Sequence, residues 1–341
     1  YHGFFLGLER TVFGRLMDYR GGRQVAIGGL LIMIAGLPGF YLIDGAGFLA
    51  IVLRAVNGVG WGIATTALLA ICSDLSPADR MAHSLGIIGV AGIVASAIGP
   101  MLAEEVLHRY GFHAVFSASL IALIAALFFV LAVTAVRPAR SVARSAPAGR
   151  RSAGPVCILL IIAAMPVVHG AVRGTVLNFI AVFGAGMDFR RVGPFFLAFS
   201  AAAVITRIGI GDISDRYGRK RVILPSALLI GLNMLWIAGI QSYWAFVLSG
   251  FVAGLGQGLI FPALSTYVID FLGRENKGLA LGLYLSLFDV GLGLGSPLFG
   301  WVSDAAGYRA MYAVAGCLAI LWTLVFALKA PALRPRERTT S

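Results

Sequence analysis

The chain has 341 residues, 59% of them hydrophobic and 12% charged, where a soluble globular protein carries roughly 25% charged residues. With a mean hydropathy of +0.90, these values exclude a soluble domain and indicate a polytopic membrane protein built from apolar runs of about 20 residues. The formal charge of +12 does not indicate nucleic-acid binding, because the basic residues are confined to short loops between apolar runs, as in cytoplasmic loops.

The first landmark is Gly14-Arg15-Leu16-Met17-Asp18-Tyr19-Arg20-Gly21-Gly22-Arg23, a charged, glycine-rich turn. The apolar segment before it is too short to cross a bilayer. Val25–Leu42 predicts a helix that ends at Asp44-Gly45. Phe48–Ile71 predicts another, carrying Arg54, Gly58, Gly60 and Gly62. A polar turn over Ser73–Arg80 precedes a helix over Ser84–Ala103, a loop from Glu104 to Tyr110, and a helix over Phe112–Val136. Arg137, Arg140, Arg144, Arg150 and Arg151 then fall among Pro, Ser and Ala with no apolar period, which reads as a flexible linker. Val156–Phe183 and Val192–Ile210 predict two more helices. A second charged turn follows, Gly211-Asp212-Ile213-Ser214-Asp215-Arg216-Tyr217-Gly218-Arg219-Lys220-Arg221. Helices over Val222–Ile240, Trp244–Ile269, Gly278–Val302 and Met311–Leu328 complete the series, and a disordered basic tail is expected from Lys329.

The chain repeats itself. An offset of 197 positions takes Gly14 to Gly211, Asp18 to Asp215 and Arg10 to Arg207. An offset of 196 takes Gly58, Gly60, Gly62, Asp74, Gly86, Gly99 and Gly111 to Gly254, Gly256, Gly258, Asp270, Gly282, Gly295 and Gly307. Repetition at half the chain length indicates two related halves. They are assigned to 1–136 and 156–328, with a cytoplasmic linker at 137–155 and a cytoplasmic tail at 329–341. The loop charges set the orientation. Both turns, the linker and the tail place nearly all the Lys and Arg on one side, while the other receives Arg109, Arg190, Arg191 and Arg309. The first side is therefore cytoplasmic.

The two turns resemble the G-x-x-x-D-R-x-G-R-R loop of the major facilitator superfamily, found between helices 2 and 3 and again between helices 8 and 9. The second copy matches at Gly211, Asp215, Arg216, Gly218, Arg219 and Lys220. The first matches at Gly14, Asp18, Gly21 and Arg23, with Tyr19 where Arg is usual and Gly22 interrupting the basic run. The resemblance implies an all-α fold of two pseudo-repeated six-helix halves in a bacterial inner membrane, with helix 1 and part of helix 2 missing from this chain. It also implies alternating access, with a substrate site between the halves. In the resembled family the helix 2 aspartate faces helix 11 when the cytoplasmic side is closed, so Asp18 and Asp215 become candidates for a latch. The segment around Asp289 looks like helix 11 of arabinose-efflux and drug-efflux permeases. Arg54-Ala55-Val56-Asn57-Gly58 resembles the helix 4 R-x-x-x-G motif of proton-coupled members.

Charges inside spans are costly and functional by default. Asp289 and Arg54 are therefore candidates for proton coupling. Arg173, Asn178, Arg207, Tyr284 and Phe288 are candidates for the substrate cavity, and His169 shares a helix face with Arg173. Gly291, Gly293 and Gly295 are expected to leave room beside Asp289 for movement or water. A fixed salt bridge from Asp289 to Arg173 or Arg207 is the structural alternative. No G-x-x-x-x-G-K-[ST] loop and no metal-ligand spacing occur, so no cofactor and no enzymatic activity are expected. The energy source is then an ion or solute gradient. The sequence points to a monomeric secondary transporter of a small organic solute, acting by proton-coupled efflux. Proton-coupled uptake uses the same parts. A receptor-like membrane protein and an inactive truncated product are the readings of another class.

Overall fold

The structure is a computed structural model that describes residues 21–42, 47–75, 81–132, 156–189, 191–210, 218–272 and 277–331. Every regular element described is helical. Helix α1 (Gly22–Gly36) runs into a 3-10 turn (Leu37–Leu42). It is followed by α2 (Phe48–Leu75), α3 (Met81–Ala132), α4 (Val156–Gly186) and α5 (Gly193–Ile210). The last three are α6 (Arg219–Gly239), α7 (Tyr243–Leu272) and α8 (Lys277–Lys329). Among the described residues, seven helices are long and apolar enough to cross a membrane. The apolar stretch described in α5, Gly193–Arg207, is shorter. Helices suit a bilayer because each satisfies its own backbone hydrogen bonds where no water can.

Two predicted loops are helical instead. Glu104 to Tyr110 continues α3, and the stretch between Val302 and Met311 continues α8. Only Gly111 (φ 78°, ψ −179°) and Gly307 (φ 83°, ψ 165°) leave helical geometry inside these elements, in a conformation essentially restricted to glycine. The charged run Glu104–Arg109 reads as a loop. Glu105 and Arg109, however, sit one turn apart and form an ion pair, which favours helix. A straight helix of the 53 residues in α8 would span about 80 Å, far more than a hydrocarbon core of about 30 Å. The chain folds back at Gly307. Before it, Gly291, Gly295 and Gly300 meet Val167, Ala171 and Phe179 in ascending order along α4. After it, Tyr308 packs on Phe179 and the Tyr312 hydroxyl donates to the Thr175 carbonyl at 3.3 Å.

The backbone carries the sequence repeat. Among the described residues the glycines with positive φ form two pairs: Gly21 with Gly218, and Gly111 with Gly307. The members of each pair are separated by the offsets found in the sequence. Gly21 and Gly218 also occupy the same place, immediately before the first residue of α1 and near the start of α6.

The chain separates into two compact units. One lies within Tyr1–Gly92 and Leu102–Arg151, and the other within Ile93–Met101 and Ser152–Ser341. In the first, α1, α2 and the end of α3 bury Val25, Leu30, Ile63, Ala67 and Val130. In the second, α4 to α8 bury a larger core that includes Ile180, Phe195, Ile223, Phe246, Tyr267 and Tyr312. Large side chains such as Phe128, Phe129, Trp244 and Trp301 stand exposed, a surface suited to lipid rather than water. The first residues of the predicted tail are tied down: Ala330 is buried and the Pro331 carbonyl accepts from the Tyr267 hydroxyl at 2.8 Å.

Candidate functional site

The site is built on a seam of small residues between α4 and the first arm of α8. A Cβ placed on Gly170 would run into the Phe288 carbonyl, and one on Gly291 into the Val167 carbonyl. A Cβ on Gly295 would lie 2.5 Å from the Ala171 Cα. The two backbones therefore touch, which is how helices associate in lipid without a hydrophobic drive. The room expected beside Asp289 at Gly291 and Gly295 is occupied by α4. Asn178, predicted for the substrate cavity, donates to Ser296 Oγ at 2.8 Å and to the Gly174 carbonyl at 3.1 Å, joining the same two helices.

Beside this seam the fold gathers most of the predicted residues of the second unit. Asp289 is buried, with 8% of its surface exposed, and Tyr284 is fully enclosed. The Arg173 guanidinium lies 4.4 Å from the centre of the Phe199 ring, and Arg207 lies 5.8 Å from that of Phe261. Phe261 packs edge-on against both Tyr284 (5.3 Å) and Phe288 (5.9 Å). The charges of Arg207 and Asp289 both act on Tyr284, and those of Arg173 and Arg207 act on each other. Among the described residues neither arginine forms an ion pair, so the expected salt bridge from either to Asp289 is not made. His169 is buried against Phe288 at 5.4 Å. It borders a void of about 20 Å³ that Thr323 also lines, room for a single water. Arg54 belongs to the other unit and is exposed on α2. No His, Cys, Asp and Glu cluster among the described residues could hold a metal ion.

Phe199 and Phe261 are the residues that sequence reasoning missed as partners of the arginines. Aromatic residues are common in spans and read as lipid-facing. No local signal marks them, because the arginine that each meets lies on another helix.

Gly14, Asp18, Gly211, Asp215 and Arg216 lie outside the described residues. The described ends of the turns, Gly21–Arg23 and Gly218–Arg221, do the same thing twice. Arg23 donates to the carbonyls of Val130 (3.3 Å) and Leu131 in the last turn of α3. Lys220 donates to the carbonyls of Ala327 (2.7 Å) and Ala330 (2.6 Å) at the end of α8. Arg23 and Lys220 are repeat partners at the offset of 197, and Leu131 and Ala327 are partners at the offset of 196. The last carbonyls of a helix lack partners within it, and a cation there also meets the negative end of the dipole. Arg219 adds an ion pair to Asp270 at the end of α7, at 3.4 Å and largely buried. Lys220→Met is expected to destabilise the second unit by about 1–2 kcal/mol, with Lys220→Arg restoring most of the loss. Thermal unfolding of the purified protein checks this, and an unchanged transition in the Met variant would remove the clamp.

The chain matches the family described as Major Facilitator Superfamily over residues 3–190 and 185–341. It is 30% identical to an uncharacterized MFS-type transporter of Pseudomonas aeruginosa over 167 residues, 48% of this chain and 40% of that protein. It is 27% identical to the staphylopine export protein of Staphylococcus aureus over 176 residues, 50% of this chain and 44% of that one. The chain thus spans less than half the length of these two relatives. An uncharacterized MFS-type transporter of Salmonella typhimurium aligns over 331 residues at 26% identity, covering 93% of this chain and 82% of the relative. Among solved structures, a POT family transporter in complex with 5-aminolevulinic acid superposes with a TM-score of 0.78 at 12% identity, covering 97% of this chain and 86% of that one. The human organic anion transporter MFSD10 (TETRAN) gives a TM-score of 0.67 at 18% identity, covering 95% and 81%. At these identities the structures share the fold. With a family match that runs nearly end to end, and with seven membrane-length helices and no other regular structure among the described residues, the chain belongs to the Major Facilitator Superfamily, a family of transporters and not of enzymes.

Proposed function

We propose that this chain carries out secondary active transport of a small organic solute by alternating access, exporting the solute in exchange for protons. The observation that carries the coupling is Asp289, a carboxylate buried in an apolar helix and within electrostatic reach of Tyr284. Holding it there is costly, and a group that takes up and releases a proton as its surroundings change gives that cost a purpose. Arg54 is a second coupling candidate. Export is favoured by the name of the Staphylococcus aureus relative, a staphylopine export protein. The two charged turns act as gates in this scheme. Asp18 and Asp215 make the contacts that change between states, while Gly14, Gly21, Gly211, Gly218, Arg23, Arg216, Arg219 and Lys220 shape and fasten the turns. The protein works as a monomer in a bacterial inner membrane, with halves at 1–136 and 156–328 and a cytoplasmic linker and tail.

Proton-coupled uptake is the second reading, and one observation favours it. Two arginines that form no ion pair among the described residues lie in the same cluster as Asp289. A bound anion would be stabilised when Asp289 is protonated, so proton and solute would travel together. Inside-out vesicles with an acidic lumen separate the two. Export by exchange should accumulate labelled solute in the lumen as protons leave, and each solute added should raise the luminal pH reported by a trapped dye. Solute uptake that ignores the pH gradient and leaves luminal pH unchanged would remove proton coupling altogether.

A further inference from the structure

We infer that the cluster on α4, α5, α7 and α8 binds the oxyanion group, carboxylate or phosphate, of a small organic solute, through Arg173, Arg207 and Tyr284. The inference deepens the transport reading and rests on taking this cluster as the substrate site, whichever way the solute moves.

The donors there outnumber the acceptors. The Arg207 Nε and the Tyr284 hydroxyl are both fully enclosed and have no hydrogen-bond partner among the described residues, an arrangement that is costly until an acceptor arrives. Tyr284 feels the charge of Arg207, so the two donors serve one region. Arg173 is held by its contact with the face of Phe199 and by no hydrogen bond among the described residues. A guanidinium positioned by a ring keeps its N–H groups for another partner. Arg173 and Arg207 also repel each other, and an anion placed between their fields relieves that repulsion. The charges of the cluster are Arg173, Arg207 and Asp289, an excess of one positive charge when all are ionised. A guanidinium matches a carboxylate or phosphate with two parallel hydrogen bonds. Phe261, Tyr284 and Phe288, with centroids 5.3–6.4 Å apart, add flat apolar walls for the body of the solute. A lipid headgroup is a poor occupant, because Arg173 sits near the midpoint of the 31-residue α4.

The test uses four probes of similar shape on the full chain: benzoate, phenyl phosphate, benzamide and benzyltrimethylammonium. Thermal unfolding and tryptophan fluorescence report binding, and exchange in proteoliposomes reports transport. Benzoate and phenyl phosphate should bind in preference to the amide and the cation. Arg173→Gln and Arg207→Gln should each weaken that binding roughly tenfold or more, as loss of a charged hydrogen bond does, and Arg207→Lys should fall between. The wild-type comparison needs no variant, so a folding defect cannot obscure it. Equal binding of all four probes, or an oxyanion preference that survives the double Gln variant, would overturn the inference. Exchange of the cation at a rate untouched by either variant would also overturn it and leave the transport reading standing. Oxyanion binding without exchange of any probe would do the reverse, supporting the anion site and removing transport.

Discussion

Asp289→Asn is expected to abolish proton-driven accumulation of substrate while leaving downhill exchange in place. Among the described residues Asp289 is the one carboxylate in the buried polar set. A carboxylate at the centre of a spanning helix costs about 2.5–3.5 kcal/mol on insertion scales, which an amide of the same shape largely avoids. Asn therefore keeps the packing of α8 against α4 and removes only the titration. The variant should purify in normal yield and equilibrate labelled solute across proteoliposomes. It should fail to concentrate solute when a pH gradient is imposed. Uphill accumulation with an unchanged pH profile would make Asp289 a structural residue and move the search for coupling to the neighbourhood of Arg54.

Gly170→Leu and Gly291→Leu are each expected to abolish recovery of folded protein. At both positions a Cβ would overlap a backbone carbonyl of the opposing helix, Phe288 in one case and Val167 in the other. Backbone cannot rotate aside as a side chain can, so the helices must separate along the whole seam. Overpacking of an ordinary core costs about 1–3 kcal/mol, and displacing a carbonyl lies at or beyond the upper end. Gly186→Ala is the control, because nothing lies within 4 Å of its Cβ position. Size-exclusion chromatography in detergent reads the result. A monodisperse, wild-type-like peak from either Leu variant would show that α4 and α8 do not meet backbone to backbone.

The helices were legible in the sequence because the bilayer demands long apolar runs, and so was the repeat, because glycines at fixed spacing mark positions where no side chain fits. Gly111 and Gly307 were visible only as repeat partners. Their role as single-residue breaks was hidden, since the charged stretch Glu104–Arg109 carries the composition of a loop and the hydrogen bonds of a helix. Asp289, Arg173 and Arg207 stood out because an ionisable group is rare where water is absent. What surrounds them did not. Phe199 and Phe261 differ in no local feature from other aromatic residues of spans, and their contact with the arginines depends on how α4, α5 and α7 are rotated against each other. Asn178 shows the opposite failure: a polar residue in an apolar run reads as cavity lining, and here it joins two helices through Ser296. The basic residues of the turns were read for their charge. Their fastening of α3 and α8 became visible only when chain ends distant in sequence were brought together.

The fold-back at Gly307 bears on how the protein is made. With a single non-helical residue between its arms, α8 offers no polar loop that could be translocated as a separate event. The second arm therefore emerges from the ribosome as a direct continuation of the first, and the two enter the bilayer as a helical hairpin. A hairpin has one topological decision where two independent spans have two. Lys277 and Lys329 lie together at the mouth of the hairpin and bias it, while Arg309 sits beside the turn. A substitution at Gly307 would thus act during biosynthesis as well as in the finished fold.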